Sequence, residues 1–457
     1  MTTSNEPRKL FGTDGIRGRA NDAPMTPETA LAVGRAVAHI FKRTGHARPR
    51  IVIGKDTRLS NYMFESALQA GICSMGVDAV QLGVLPTPGI AFMTTGMRAD
   101  AGVVISASHN PYDDNGIKFF GADGFKLPDD VELQIEQLLA SGDLLEHRAI
   151  GSGIGKAYRI EDAVGRYVVF LKSTFPRALE LSGIRIVIDC ANGASYKVAP
   201  ETLYELGAEI FPMGTAPNGT NINAGVGALH PERMAERVRE LRADIGIALD
   251  GDADRCILCD ERGNIVDGDA MLLVLARHMK EQGTLRNDTV VATVMSNLGL
   301  ERALNAEGIA LARAGVGDRY VAEHMLAGGF NLGGEQSGHL ILHDLSTTGD
   351  GLLAALQVLA VMVGKGRPLS ALTKGLERVP QILRSVFVTK KPPLEALPET
   401  SAAIRDVEGE LGKKGRVLVR YSGTEAKCRV MVEGDDEARV NGYADRIAGA
   451  LEREIGA

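Results

Sequence analysis

The 457-residue sequence has no surplus of positive charge. Lys and Arg number 51 against 58 Asp and Glu, a formal net charge of −7. Nucleic acid is gripped by clustered cations, which this balance does not supply, and an anionic membrane surface is disfavoured for the same reason. Long hydrophobic runs are missing too. The longest apolar stretch, Gly351 to Val363, is interrupted by Gln357 and is too short for a bilayer, so it reads as a buried helix. Met1 to Arg8 are polar, and no secretory signal is expected. Cysteine is sparse: Cys73, Cys190, Cys256, Cys259 and Cys428 are odd in number and scattered, which fits reduced thiols in a cytoplasm. Cys256 and Cys259 form a CxxC, but no second CxxC or nearby His pair completes a zinc set, so burial is the expected role.

What is present is a long, glycine-punctuated α/β pattern. Hydrophobic residues make up 44% of the chain, charged residues 24%, and there are 54 glycines; the length alone suits about three domains. Short apolar runs repeatedly give way to polar turns: Ile51–Ile53 before Gly54-Lys55-Asp56-Thr57-Arg58, Val103–Ile105 before a Ser108 loop, Ile186–Ile188 before Asp189, Ile245–Leu249 before Asp250, and Val290–Val294 before Met295. Helix-like stretches follow, which predicts βα units in sheets covered on both faces. Thr26-Pro27-Glu28 has the form of a helix N-cap and first turn. From Ser385 the order changes to strand, helix, strands around Val417–Val419 and Arg429–Val432, and a closing helix from about Asp435. The expected architecture is three similar α/β domains with mixed sheets, 1–159, 160–262 and 263–375, and a smaller α+β domain, 376–457, around a central cleft.

The candidate chemistry centres on Val103-Val104-Ile105-Ser106-Ala107-Ser108-His109-Asn110-Pro111. An apolar strand ending in hydroxyls, an imidazole and a turn places Ser108 where ligands of open α/β sheets collect. Asp113 to Gly116 continue the turn before Ile117-Lys118-Phe119-Phe120 returns, so a hairpin carries Lys118 back past Ser108. A plain surface turn is the competing reading, and serine needs a base, a metal or a bound phosphate to become reactive.

Asp250, Asp252 and Asp254 alternate directly after an apolar run, so an extended backbone would point all three carboxylates to one side. Their repulsion, about 1 kcal/mol per pair in water and about 4 kcal/mol near a protein surface, calls for a cation. Oxygen-only ligation with a phosphate as further ligand suits Mg²⁺. An EF-hand is ruled out because Arg255 stands where its loop needs Gly, although Glu261 occupies the twelfth place. A phosphatase with an aspartyl nucleophile stays open. Arg255 would aim at the same anion.

Further loops could complete a site. Leu10-Phe11-Gly12-Thr13-Asp14-Gly15-Ile16-Arg17-Gly18 exposes Arg17 between glycines, as an anion holder or as a mobile turn. Gly315-Val316-Gly317-Asp318-Arg319-Tyr320 and Gly333-Gly334-Glu335-Gln336-Ser337-Gly338-His339 carry groups suited to sugar hydroxyls or an amine; ordinary turns are the alternative. Arg420-Tyr421-Ser422-Gly423-Thr424-Glu425, with Arg429 close by, has the make-up of a phosphate nest.

Ile105–Pro111, Asp250–Arg255, Gly334–His339 and Arg420–Glu425 together resemble the four signature loops of the α-D-phosphohexomutases, in that family's order and across almost the whole chain. Phe11–Gly18, Gln336 and Ser422–Glu425 resemble the branch that acts on glucosamine phosphates. One departure is Ala426, where the family commonly has proline. The resemblance implies that Ser108 carries a phosphoryl group, that Asp250, Asp252 and Asp254 hold one Mg²⁺ with it, and that Lys118 and Arg255 assist transfer, with Arg17 and His109 in support. It further implies that Gly317, Asp318, Glu335, Ser337 and His339 meet the sugar, and that Arg420, Ser422, Gly423, Thr424 and Arg429 grip the phosphate that is not reacting. The implied reaction interconverts glucosamine 6-phosphate and glucosamine 1-phosphate through glucosamine 1,6-bisphosphate, feeding UDP-N-acetylglucosamine and the bacterial wall from the cytoplasm. Phosphomannomutase or phosphoglucomutase activity, a metal-dependent sugar phosphatase and a non-catalytic sensor are the alternatives. Neither nucleic acid nor membrane is an expected partner, and a homodimer stays open.

Overall fold

A computed structural model describes residues 10–12, 14–42, 48–422 and 426–457. The chain forms two compact units, one running to Thr293 and resuming over Ala314–Lys374, the other made of Val294–Arg313 and Gly375–Ala457.

The first unit contains three mixed sheets. In the six-stranded sheet the strands lie in the order Ile16–Arg19, Asp114–Gly121, Ala101–Ile105, Arg50–Lys55, Asp78–Val84 and Ala157–Arg159. Its central pair, Arg50–Lys55 and Ala101–Ile105, is parallel and buried almost throughout, as expected of strands covered on both faces. Side chains such as Ile51, Ile53, Val103 and Ile105 have no exposed surface, and each contributes about 1.5–3 kcal/mol by leaving water. The second sheet runs Ile265–Val266, Cys256–Asp260, Ile245–Leu249, Arg185–Asp189 and Glu209–Met213. In the third, Thr289–Thr293 pairs in parallel with Leu332–Gly334, which pairs antiparallel with Leu340–Leu342.

Two of the five apolar runs lead into antiparallel return strands before any helix. Ala101–Ile105 turns back as Asp114–Gly121, with Val104 opposite Lys118. Ile245–Leu249 turns back as Cys256–Asp260. Both functional turns therefore sit at hairpin bends, where the chain reverses without a helix to cover them.

Helix boundaries follow local chemistry. Thr26 accepts from Thr29 N at 3.2 Å and starts the helix Pro27–Phe41. Asp350 caps Gly351–Lys365 through Leu353 N at 2.9 Å, and that helix is the expected buried apolar run; its one interruption, Gln357, donates to Thr174 O at 3.0 Å. Among the described residues no helix is long and apolar enough to cross a membrane.

In the second unit Lys427–Gly434 lies between Gln381–Phe387 and Gly415–Tyr421, all antiparallel. Helices Pro398–Leu411 and Glu437–Ile455 pack with this sheet around Val407, Val430, Val432, Ile447 and Leu451. The helix Leu298–Ala306 belongs here as well: its cap residue Asn297 exchanges hydrogen bonds with the Val379 backbone at 2.9 and 3.0 Å.

Candidate functional site

Ser108 sits at the first hairpin bend, buried, with φ of +51°. A left-handed backbone is unusual for a residue with a side chain and persists only where its surroundings hold it. Arg58 and Asn223 do so. Arg58, itself fully buried, donates from Nη2 to Ser108 O at 3.2 Å and to Asn110 O at 2.6 Å, and Asn223 Nδ2 donates to the same carbonyls at 2.9 and 3.1 Å. So fastened, Ser108 Oγ donates to Asp250 Oδ2 at 2.6 Å and lies 3.3 Å from His109 Nδ1.

Asp250, Asp252 and Asp254 occupy the second bend. They are not on an extended strand, contrary to expectation: the strand ends at Leu249 and Ala253 is left-handed at φ +58°. The turn gathers them more closely than alternation would, with one carboxylate oxygen of each within 4.8 Å of the others. Gly251 permits the approach, since a Cβ there would lie 2.5 Å from Ser108 O.

The three acids are buried to different electrostatic ends. Burial, then Asp254 and Asp252, push the Asp250 carboxyl well above its usual range. Burial would do the same to Asp252, but Lys118 and the Thr87 hydroxyl, 3.0 and 2.7 Å from Oδ2, hold it below that range. Asp252 Oδ1 and Asp254 Oδ1 are buried with no hydrogen-bond partner. Unsatisfied buried carboxylate oxygens beside an acid forced towards its neutral form are what a missing cation leaves behind. The donor set therefore fits a hard divalent metal ion.

Basic groups surround this core. Lys118 pairs with Asp14 at 2.9 Å as well as with Asp252; although burial opposes its charge, these acids keep its pKa raised. Arg255 is likewise held charged against burial by Asp254 and Asp250, and its Nη1 lies 3.2 Å from His109 Nδ1. Burial, Arg255 and Arg17 push His109 down to about 4, so the ring is neutral at neutral pH. Arg17 pairs with Asp14.

The first unit also brings in the two glycine-rich loops. His339 is buried, with Nδ1 3.6 Å from Asp254 Oδ2 and Nε2 3.6 Å from Asp318 Oδ2; burial works against its charge, but these acids raise its pKa. Gly338 lets this loop lie on the metal-loop strand: its φ is +92° and a Cβ would meet Cys256 O at 2.0 Å. Glu335 accepts from Gly317 N at 3.2 Å and from Ser337 Oγ at 3.1 Å, tying the two loops together. Asp318 does not lie in a loop, as expected, but opens the helix Asp318–Gly328 after Gly317 at φ +128°, where a carboxylate suits the helix N-terminus. Arg17, His109, Lys118, Asp250, Asp252, Asp254, Arg255, Asp318 and His339 thus form one connected set with Ser108.

In the second unit Arg420 and Arg429 stand opposite each other on adjacent strands, both half-buried. Burial and then Arg429 lower the Arg420 pKa, a pairing of like charges that an anion would relieve. Ser422 is buried, and Lys391 Nζ donates to its carbonyl at 2.6 Å. Gly423 and Thr424 lie outside the described residues.

Sequence reasoning missed Arg58, Thr87, Asn223, Asp14, Lys126 and Lys391. Arg58 was visible only as part of a polar turn, and nothing near Thr87 or Asn223 signals a functional role, because each acts through a contact more than a hundred residues away.

Comparison with known proteins follows the same segments. Residues 8–146, 165–263 and 267–379 match the alpha/beta/alpha domains I, II and III of phosphoglucomutase/phosphomannomutase, and 383–450 its C-terminal domain. A phosphoglucosamine mutase of Geobacter metallireducens is 60% identical over 449 residues, 98% of this chain and 99% of that protein. One from Magnetococcus marinus is 58% identical over 458 residues, 99% and 94% of the two chains. Among solved structures, a phosphoglucomutase/phosphomannomutase family protein of Burkholderia thailandensis shares the fold with a TM-score of 0.81 at 22% identity, covering 98% of this chain and 99% of that one. An N-acetylphosphoglucosamine mutase of Aspergillus fumigatus, solved with GlcNAc-6P and magnesium, does so with a TM-score of 0.68 at 17% identity, over 97% and 96%.

Proposed function

Because the chain belongs to the phosphoglucomutase/phosphomannomutase family, we propose that it interconverts glucosamine 6-phosphate and glucosamine 1-phosphate. Its near-full-length relatives named phosphoglucosamine mutase support glucosamine as the sugar. The observation that carries the mechanism is Ser108 Oγ 2.6 Å from Asp250 within a buried acid triad. In this reading Ser108 carries a phosphoryl group. Its Oγ–P bond breaks as a sugar hydroxyl oxygen bonds to phosphorus, giving glucosamine 1,6-bisphosphate. The intermediate turns over, and its other phosphate returns to Ser108 Oγ.

The work assigned to the protein is positioning and charge neutralisation, which phosphoryl transfer mainly requires. Lys118 and Arg255 face the transferring group, and Arg17 steadies it. His109, neutral at working pH, is the base placed beside Oγ. Mg²⁺ bound by Asp250, Asp252, Asp254 and the Ser108 oxygen would neutralise developing charge on the phosphoryl oxygens. Gly317, Asp318, Glu335, Ser337 and His339 read the sugar. Arg420, Ser422 and Arg429, with Gly423 and Thr424, hold the distal phosphate in either pose.

The proposal divides the chain into domains 1–159, 160–262, 263–375 and 376–457. It places the reaction in the cytoplasm, in keeping with five free thiols, without nucleic acid or membrane, and takes a homodimer as the assembly to test by ultracentrifugation. Mass spectrometry should find one phosphate on Ser108, and turnover should be fastest with glucosamine phosphates when glucose and mannose phosphates are run beside them. Steady release of inorganic phosphate with no bisphosphate requirement would replace this reading with a phosphatase.

A further inference from the structure

Lys126 belongs to none of the loops that carry the resemblance. It lies in the turn after the strand Asp114–Gly121, bridged to Phe120 through the backbone. Its Nζ is largely buried and sits 2.6 Å from Asp14 Oδ1 and 2.5 Å from Asp318 Oδ2. Asp14 leads through its other oxygen to Lys118 at 2.9 Å, and Lys118 leads to Asp252 at 3.0 Å. Asp318 leads to His339 and His339 to Asp254, each at 3.6 Å. Between Asp252 and Asp254 there is thus a second route, in which acid and base alternate and Lys126 is the midpoint.

The two acids depend on it. Burial alone would raise the Asp14 and Asp318 carboxyls; Lys118, Lys126 and Arg17 keep the first low, and Lys126 and His339 the second. Lys126 and Asp318 also border a cavity of about 640 Å³ whose walls include Phe41, Leu127, Val131 and Leu326. Beside such apolar walls charges are poorly screened, and without the lysine two carboxylates would confront each other and the loops that bear them would separate.

We propose that Lys126 is a positioning residue that sets the spacing between the transfer end of the site, through Asp14 and Lys118, and the sugar-reading end, through Asp318 and His339. The inference rests on the mutase reading above and deepens it: the sugar hydroxyl reaches Ser108 only if the loop holding the sugar is in register with the lysine serving the phosphoryl group.

The test compares wild type, Lys126→Met, Lys126→Arg, Asp318→Asn and the double variant K126M/D318N in the glucosamine phosphate assay, with hydrogen exchange measured on each. In K126M kcat should fall about 10–100-fold, as misplacement of about an ångström can cause, with KM rising severalfold. K126R should recover most of kcat. The double variant should be no worse than K126M, because both changes cut the same link. Exchange should rise together at Asp14–Arg19 and Gly315–Tyr320. Kinetics within twofold of wild type despite a lower Tm, additive losses in the double variant, or K126R as slow as K126M would each overturn the proposal. If K126M does not fold, Lys126→Gln is judged by the same criteria. If the wild type interconverts no hexosamine phosphate, the mutase reading fails by itself, and paired or unpaired exchange at the two loops then decides for or against the link.

Discussion

The acid loop after Leu249 and the basic strand pair of Arg420 and Arg429 both concentrate charge of one sign, and they deal with it differently. In the acid loop every carboxylate is buried and its neighbours are already in place: Ser108 on Asp250, Lys118 and Thr87 on Asp252, and His339 near Asp254. Around Arg420 the residues are half-buried and the opposite strand supplies another cation. A site for a permanently held small cation can be rigid and dry. One that must take and release a phosphate in two poses gains from partial exposure, since each exchange then costs less desolvation.

The largest test of this contrast is Ser108→Ala. Turnover should fall at least about a thousand-fold, as expected when a nucleophile is lost, and no phosphoenzyme should form by mass spectrometry; full activity would remove the mechanism. Asp250→Asn comes next and should separate stability from function. Metal affinity by calorimetry and activity should collapse. With metal stripped, the variant should be more stable than wild type by about 1–4 kcal/mol, since one buried like charge is gone; a metal-free variant less stable than wild type would show that the triad is not electrostatically overloaded.

On the basic side, Arg420→Ala should raise KM about 10–100-fold, the value of one or two charged hydrogen bonds, while chemical denaturation of the protein barely changes. If stability falls instead, the arginine pair is structural and the contrast breaks.

The smallest effect concerns Asp350, which caps the helix whose Gly351 N donates to Ala253 O in the acid loop at 3.0 Å. Burial raises its pKa to about 6 despite hydrogen bonds from Leu353 and Tyr167. An acid whose pKa is raised on folding favours the native state most below its unfolded value, and that advantage is lost as pH rises through the folded one. Asp350→Asn cannot ionise, so wild type should lose about 1–3 kcal/mol relative to it between about pH 4 and 6, measured by denaturation at each pH. A flat difference would mean that burial is not the cause.

Much of the site was legible because its residues are neighbours in sequence. The apolar run before Ser108, the turn residues after it and the return through Lys118 mark a hairpin whatever surrounds them, and spacing alone brings three aspartates together after Leu249. The backbone of that triad was misread: alternation suggests a strand, but Gly251 and the left-handed Ala253 make a turn. Arg58, Thr87 and Asn223 were not legible, because a buried hydrogen bond to a distant carbonyl or carboxylate leaves no local pattern.

Composition and short-range order by themselves determined that this is an α/β chain with a reactive serine bend, an acid cluster and a basic strand pair, because hydrophobic period, turn chemistry and charge act between near neighbours. Only tertiary structure decided which acid is neutral, which lysine is committed and which loops are tied together. Those outcomes depend on burial and on charges a few ångströms away in space but a hundred or more residues apart along the chain, as between Lys126 and Asp318.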